Sequence, residues 1–216
     1  MPVQVKICGI NSLKAAEAVL RAGADFGGLV IFAGSPRNLS LEDGVSLAGR
    51  LRGRLKLAAL VVDESDEKLA AIAGRVQPDF FQLHGGETPQ RAADIRARFG
   101  IPLIKALPVR DPDDLALAGD YGDVVDLFLF DAPVARNAAR PGGHGIAFDW
   151  RMLSGKSFAR PWFLAGGLTP ENVAGAIAVS GAALVDVSSG VESAPGIKSE
   201  SRIADFVAAA KGRVRA

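Results

Sequence analysis

The feature that most constrains this chain is an alternation repeated eight times. Short apolar runs, each about one strand long, alternate with amphipathic stretches that carry helix-start residues. The runs fall at residues 3–7, 26–31, 57–62, 79–83, 103–107, 125–130, 162–165 and 183–188. They are rich in Val, Ile, Leu and Phe and are bounded by turn residues, the pattern of buried strands. Between them, Ser12, Ser40, Glu64-Ser65-Asp66, Thr88, Thr169 and Ser199 stand where helix N-caps are expected, with Pro170 set for a first helical turn. Helices are less marked at 111–118 and after Asp149 and Trp150. Eight βα units in 216 residues predict a single α/β domain over 1–216, a (βα)8 TIM barrel; a doubly wound open sheet is the alternative.

Composition narrows the function classes. The 25 basic and 24 acidic side chains nearly cancel to +1, so no global charge draws the chain to nucleic acid or to an anionic membrane. A small molecule is the expected partner. One cysteine excludes an internal disulfide and fits a reducing compartment. No apolar run approaches the roughly 18 residues of a membrane span, and the N-terminus opens on a strand pattern without a secretory apolar core. A cytoplasmic protein is the expectation.

Chemistry-bearing residues cluster at the ends of the apolar runs. In parallel α/β folds the C-terminal ends of strands carry the active site. Period-two alternation sets Lys6 and Cys8 opposite Val5 and Ile7, and Gln82 and His84 opposite Phe81 and Leu83. Likewise Asp186 and Ser188 oppose Val185 and Val187, and Lys105 opposes Ile104 and Ala106. The polar faces are expected to converge inside the barrel mouth.

Cys8 ends the first strand beside Gly9. A lone cysteine is often a small buried hydrophobe; near a cation such as Lys6 it is a base or nucleophile. Asp131 follows the apolar run LFLF. It can cap a turn with Ala132 and Pro133, or serve as a general acid if desolvation raises its carboxyl. Gly166-Gly167 and Ser188-Ser189-Gly190 follow the seventh and eighth strands. Such glycines can simply make turns, but in (βα)8 barrels these loops often bind phosphate through backbone N–H groups. Arg37, in Ser35-Pro36-Arg37, is either a solvated loop residue or a clamp for a substrate carboxylate. His84 reads as a hydrogen-bonded rim residue. No His, Asp or Glu spacing matches a metal site, and Cys8 has no second thiol.

Taken in order, KICGI at 6–10, SPRNLS at 35–40, QLHG at 82–85, FD at 130–131, GGHGIAFDW at 142–150, LAGGLTPENV at 164–173 and VDVSSGVE at 185–192 resemble the phosphoribosylanthranilate isomerase family over the whole chain. The resemblance implies a (βα)8 barrel of tryptophan biosynthesis that performs an Amadori rearrangement without a cofactor. It implies Cys8 as general base and Asp131 as general acid. It gives Arg37 the anthranilate carboxylate, and Gly166, Gly167, Ser188, Ser189 and Gly190 the phosphate. Gln82, His84 and Asp186 would line the substrate site, and the molecule would be a monomer or homodimer. Asn11 stands where threonine is common in the family, and His144 where threonine or serine is common.

Three rival classes have their own signatures. A Schiff-base aldolase would use Lys105, read as pointing into the mouth. A histidine-pathway aminoaldose isomerase would be expected to carry a carboxylate where Cys8 stands. A binding barrel would hold ligand without turnover.

Overall fold

The computed structural model describes residues 2–132 and 148–212. Eight parallel strands close into a barrel in sequential order: β1 (Gln4–Cys8), β2 (Phe26–Val30), β3 (Lys56–Val61), β4 (Phe80–Leu83), β5 (Leu103–Pro108), β6 (Leu127–Asp131), β7 (Trp162–Leu164) and β8 (Leu184–Val187). Around them lie α1 (Leu13–Ala22), α2 (Leu41–Leu51), α3 (Asp66–Arg75), α4 (Pro89–Phe99), α5 (Leu117–Tyr121), α6 (Val173–Ser180) and α7 (Glu200–Ala210). The open-sheet alternative is excluded by the β1–β8 pairing, which sets Lys6 beside Asp186. The segment 136–145, including His144, lies outside the described residues.

Helix starts follow the local chemistry. The side chains of Ser12, Ser40, Ser65, Thr88 and Ser199 each accept a backbone N–H of the first turn. The helix after β7 departs from expectation, beginning at Val173 rather than at Pro170. Asn172 is the reason: its Oδ1 accepts Thr169 N at 2.7 Å and its Nδ2 donates to Gly167 O at 2.9 Å, folding 167–172 into a loop. The two less marked helices are short. One is a 3-10 turn (Pro112–Ala116) running into α5, and the other is a 3-10 turn at Trp150–Leu153.

At the base, Asp25, Asp79 and Asp126 each precede an even strand and accept a backbone N–H of the odd strand before it, from Val5, Leu57 and Leu103. The same residue type thus pins three strand pairs where the ladders begin.

Alternation partitions the core. Val5, Ile7, Phe81, Leu83, Val185 and Val187 join the large cluster shared with the helices. A second cluster, with Phe26, Ala58, Ile104, Leu129 and Phe163, fills the barrel interior. Lys105 corrects the sequence reading. Ile104 lies beside the interior residue Gln82, whereas Lys105 lies beside Leu83 on the outer face. There its Nζ donates to Glu87 Oε2 and Gly85 O, both at 2.8 Å, and faces the Tyr121 ring. The apolar neighbours Ile104 and Ala106 take the interior positions, so the amine sits beneath the helices. A Schiff-base role at the mouth is thereby removed.

Candidate active site

The strand ends bring the predicted residues into three groups. The first surrounds Cys8. It is 4% exposed at the end of β1, packed with Val30 and Leu60. Directly across the ladder is Gly28, where a Cβ would lie 2.9 Å from the Cys8 Sγ. One turn of the pleat below, the fully buried Lys6 Nζ donates to Asp186 Oδ1 at 2.8 Å. Two opposite charges buried together offset the desolvation that either would suffer alone. Burial alone would lower the Lys6 ammonium, yet the Asp186 carboxylate and the Cys8 sulfur outweigh it and hold the lysine above its ordinary value. Burial pushes the Cys8 thiol up; Lys6, Lys198 and Arg37 pull the other way without cancelling it. Lys6 alone would depress the thiol, but desolvation is the larger effect.

The second group is Asp131, His84 and Gln82. Asp131 continues the inward phase of Leu127 and Leu129 on β6. Its Oδ1 accepts Ala132 N at 2.8 Å, and its Oδ2 lies 3.4 Å from His84 Nε2. The other ring nitrogen, His84 Nδ1, is 3.0 Å from the Nε2 of the fully buried Gln82. His84 thus spans the gap between an interior amide and the carboxyl. A cavity of about 340 Å³ opens here, lined by Val62, His84, Ala106, Leu107 and Asp131 among others. Its walls are mostly apolar and its polar groups few, the usual make-up of a small-molecule site.

The third group is the glycine and serine loops. A Cβ on Gly190 would fall 1.8 Å from the carbonyl oxygen of Leu168, and one on Gly166 would fall 2.4 Å from Ala132 N. Gly166 and Gly167 also adopt positive φ. The glycines are therefore needed for close backbone approach between consecutive loops, beyond the making of turns. Ser188 Oγ donates to Cys8 O at 3.1 Å, joining the β8 loop to the first group. Ser189 opens a short 3-10 turn (Ser189–Val191).

Arg37 belongs with Cys8. Its stem lies over Gly9, where a Cβ would be 2.5 Å from Arg37 Cδ, and the side chain is 9% exposed. The solvated-loop reading is excluded.

Residues 5–209 match the family model described as N-(5'phosphoribosyl)anthranilate (PRA) isomerase. The chain belongs to this family. The N-(5'-phosphoribosyl)anthranilate isomerase of Rhodopseudomonas palustris (strain BisA53) is 48% identical over 215 residues, spanning 100% of this chain and 99% of the relative. The phosphoribosyl anthranilate isomerase structure from Thermotoga maritima superposes with a TM-score of 0.87 at 37% identity, covering 97% of this chain and 99% of that one. A phosphoribosyl anthranilate isomerase in complex with reduced 1-(o-carboxyphenylamino)-1-deoxyribulose 5-phosphate has a TM-score of 0.82 at 35% identity, with 97% and 99% coverage.

Within this phosphoribosylanthranilate isomerase fold, the structure adds residues that sequence reasoning missed. Glu192 and Lys198 lie on a two-stranded hairpin, β9 (Glu192–Ala194) and β10 (Ile197–Lys198), that crosses toward Arg37. The dipeptide Pro195-Gly196 between two short runs was the available signal. Glu87 is a third. Besides holding Lys105, its carboxylate accepts Asp63 N and Gly85 N, fastening the β3 and β4 loops beside His84. Among the described residues, no group of three or more His, Cys, Asp or Glu is placed to hold a metal ion, and no helix is long and apolar enough to cross a membrane.

Proposed function

We propose that this chain isomerises N-(5-phosphoribosyl)anthranilate to 1-(2-carboxyphenylamino)-1-deoxyribulose 5-phosphate in tryptophan biosynthesis. The reading rests on one arrangement in a chain of this family: a thiol on β1 and a carboxyl on β6 share one barrel mouth.

Asp131 acts as general acid. It gives a proton to the furanose ring oxygen as the bond from that oxygen to C1' breaks. The lone pair on the anthranilate nitrogen forms the C1' iminium ion. Cys8, as thiolate, takes the proton from C2', and the electron pair released neutralises the iminium. The resulting enolamine gains a proton at C1' and loses the one on the C2' hydroxyl, leaving the ketone. The substrate's own nitrogen is the electron sink, so neither metal nor organic cofactor is needed. Burial disfavours the thiolate, while Lys6, Arg37, Lys198 and the cationic iminium favour it.

Arg37 holds the anthranilate carboxylate. The loops of Gly166, Gly167, Ser188, Ser189 and Gly190 hold the phosphate, and Gln82, His84 and Asp186 line the space between. His84 positions the Asp131 carboxyl. The protein acts in the cytoplasm on a phosphorylated small molecule, without nucleic acid or membrane, as one 216-residue domain. It works as a monomer or homodimer; the Thermotoga maritima relative is described as dimeric, with monomers generated from it.

The decisive assay follows anthranilate fluorescence as freshly made phosphoribosylanthranilate is consumed by the purified protein without added metal. No turnover of an intact substrate would overturn the reading. Activity abolished by a chelator and restored by a divalent ion would overturn its cofactor-free part.

A further inference from the structure

The guanidinium of Arg37 has two edges able to grip a carboxylate with two parallel hydrogen bonds, one through Nε and Nη2 and one through Nη1 and Nη2. The first is already taken. Arg37 Nε donates to Glu192 Oε1 at 2.6 Å, and Nη2 donates to Glu192 Oε2 at 2.8 Å. The pair is buried, with 9% and 4% of the two side chains exposed. Glu192 is itself fixed from two further sides, by Lys198 Nζ at 2.9 Å and by Gly196 N at 3.1 Å. Lys198 also donates to Ser188 O at 2.9 Å and to Ser188 Oγ at 3.3 Å. Ser188 Oγ in turn donates to Cys8 O. Asn11 Nδ2 ties the hairpin to the β1 loop through Gly196 O at 2.8 Å.

We propose that Glu192 is the positioning residue of the aromatic end of the site: it holds the inner edge of Arg37 so that the outer edge is presented to the carboxylate of the substrate. Lys198 joins that anchor to Ser188, setting the carboxylate grip and the phosphate loop of β8 in one hydrogen-bonded frame. A buried carboxylate beside a carboxylate-binding arginine would repel the substrate if it stood alone. Lys198 removes that objection. Arg37 and Lys198 carry two positive charges against the one negative charge of Glu192, so the cluster keeps one positive charge for the ligand. Substrates lacking the ring carboxylate would leave that charge unpaired in a buried place, which makes the cluster a determinant of specificity. The inference rests on the isomerase reading above.

The test is a double-variant cycle on steady-state KM and kcat with phosphoribosylanthranilate, using wild type, Glu192→Gln, Arg37→Ala and the double variant. Binding of reduced 1-(o-carboxyphenylamino)-1-deoxyribulose 5-phosphate and the thermal midpoint are measured alongside. Glu192→Gln should raise KM roughly 10- to 100-fold, the span of a lost charge-assisted contact, with kcat within about threefold of wild type. In the Arg37→Ala background the same change should leave KM where Arg37→Ala alone put it. Should Glu192→Gln not fold, Glu192→Asp replaces it, keeping the charge but shortening the reach, and the same cycle is run. Three results would overturn the proposal: KM increments that multiply independently, a fall in kcat at unchanged KM, or a lower KM on removing the charge. Wild type that neither turns over the substrate nor binds the reduced ligand would strike both this and the isomerase reading. Normal wild-type turnover with any of the three results strikes only this one.

Discussion

Gly28 faces Cys8 across the β1–β2 ladder so closely that a methyl group there would sit 2.9 Å from the thiol sulfur and 3.1 Å from the Cys8 Cα. The space is filled on its other sides by Val30 and Leu60. Gly28→Ala must therefore push the sulfur, the strand, or both. It should destabilise the protein by about 1–3 kcal/mol, the usual cost of overpacking a core. It should also lower kcat by more than it changes KM, because the displaced atom is the proposed proton acceptor. Thermal melts and steady-state kinetics check the two parts; an unaltered kcat would mean that the sulfur position is not critical.

Gly190 makes a sharper steric prediction. A Cβ at this position would overlap the Leu168 carbonyl oxygen, a backbone atom, at 1.8 Å. Gly190→Ala should part the β7 and β8 loops, weaken competitive inhibition by inorganic phosphate, and raise KM. Gly175→Ala is the control. It lies exposed inside α6 with nothing within 4 Å of the added atom, so it should stabilise by about 0.5–1 kcal/mol through helix propensity and leave kinetics alone. Phosphate inhibition that is purely non-competitive would place the anion elsewhere.

The alternation of strand-like and helix-like runs made the barrel legible, and five N-caps were readable from a hydroxyl residue standing before a helical run. The rim positions of Cys8 and Asp186 followed from period-two phase, because a closed barrel turns alternate residues inward, and that of Asp131 from its place at the end of an apolar run. At Lys105 the alternation held but its direction was misread. Polarity was read as pointing to the mouth, whereas Glu87 had built an ion pair for that lysine under the helices. Periodicity cannot reveal such a partner, since Glu87 and Lys105 meet only through the fold. The Glu192 and Lys198 hairpin was missed for a related reason: two or three residues per strand carry too little pattern. The direction of the balance at Cys8 was not legible, because a neighbouring cation is visible in sequence and desolvation is not.

Cys8→Ala and Asp131→Asn test the two proton transfers. Each should lower kcat/KM by about 10²–10⁴-fold, the span of a lost general acid or base. Both keep the fold: the first removes one sulfur atom, and the second preserves the shape that accepts Ala132 N and faces His84. Circular dichroism and melting should therefore stay close to wild type while turnover collapses. Near-full activity in Cys8→Ala would make the thiol a packing residue and move the search for a base to Asp186.

The dependence of rate on pH distinguishes how the pair shares its protons. The proposed mechanism needs thiolate and carboxylic acid together. Carboxyls as a class ionise below thiols, and burial moves Cys8 further up. The working form is one arrangement of the singly protonated pair. Its amount tracks that singly protonated state, so kcat/KM should be bell-shaped, with limbs that belong to the pair. Activity should rise as the first proton leaves the pair. It should fall only as the second leaves, which is chiefly the thiol proton. The alkaline limb should consequently lie above the ordinary thiol value. In Cys8→Asp that limb should vanish or move several units toward acid, while some activity remains. Iodoacetamide gives an independent reading of the same ionisation. Inactivation should be slow at neutral pH, because the thiol is buried and largely protonated, and should accelerate into the alkaline range, with substrate protecting. An alkylation profile that reaches its plateau below neutrality would show that Lys6, Lys198 and Arg37 overcome burial after all, and the acidic limb would then be the thiol's own.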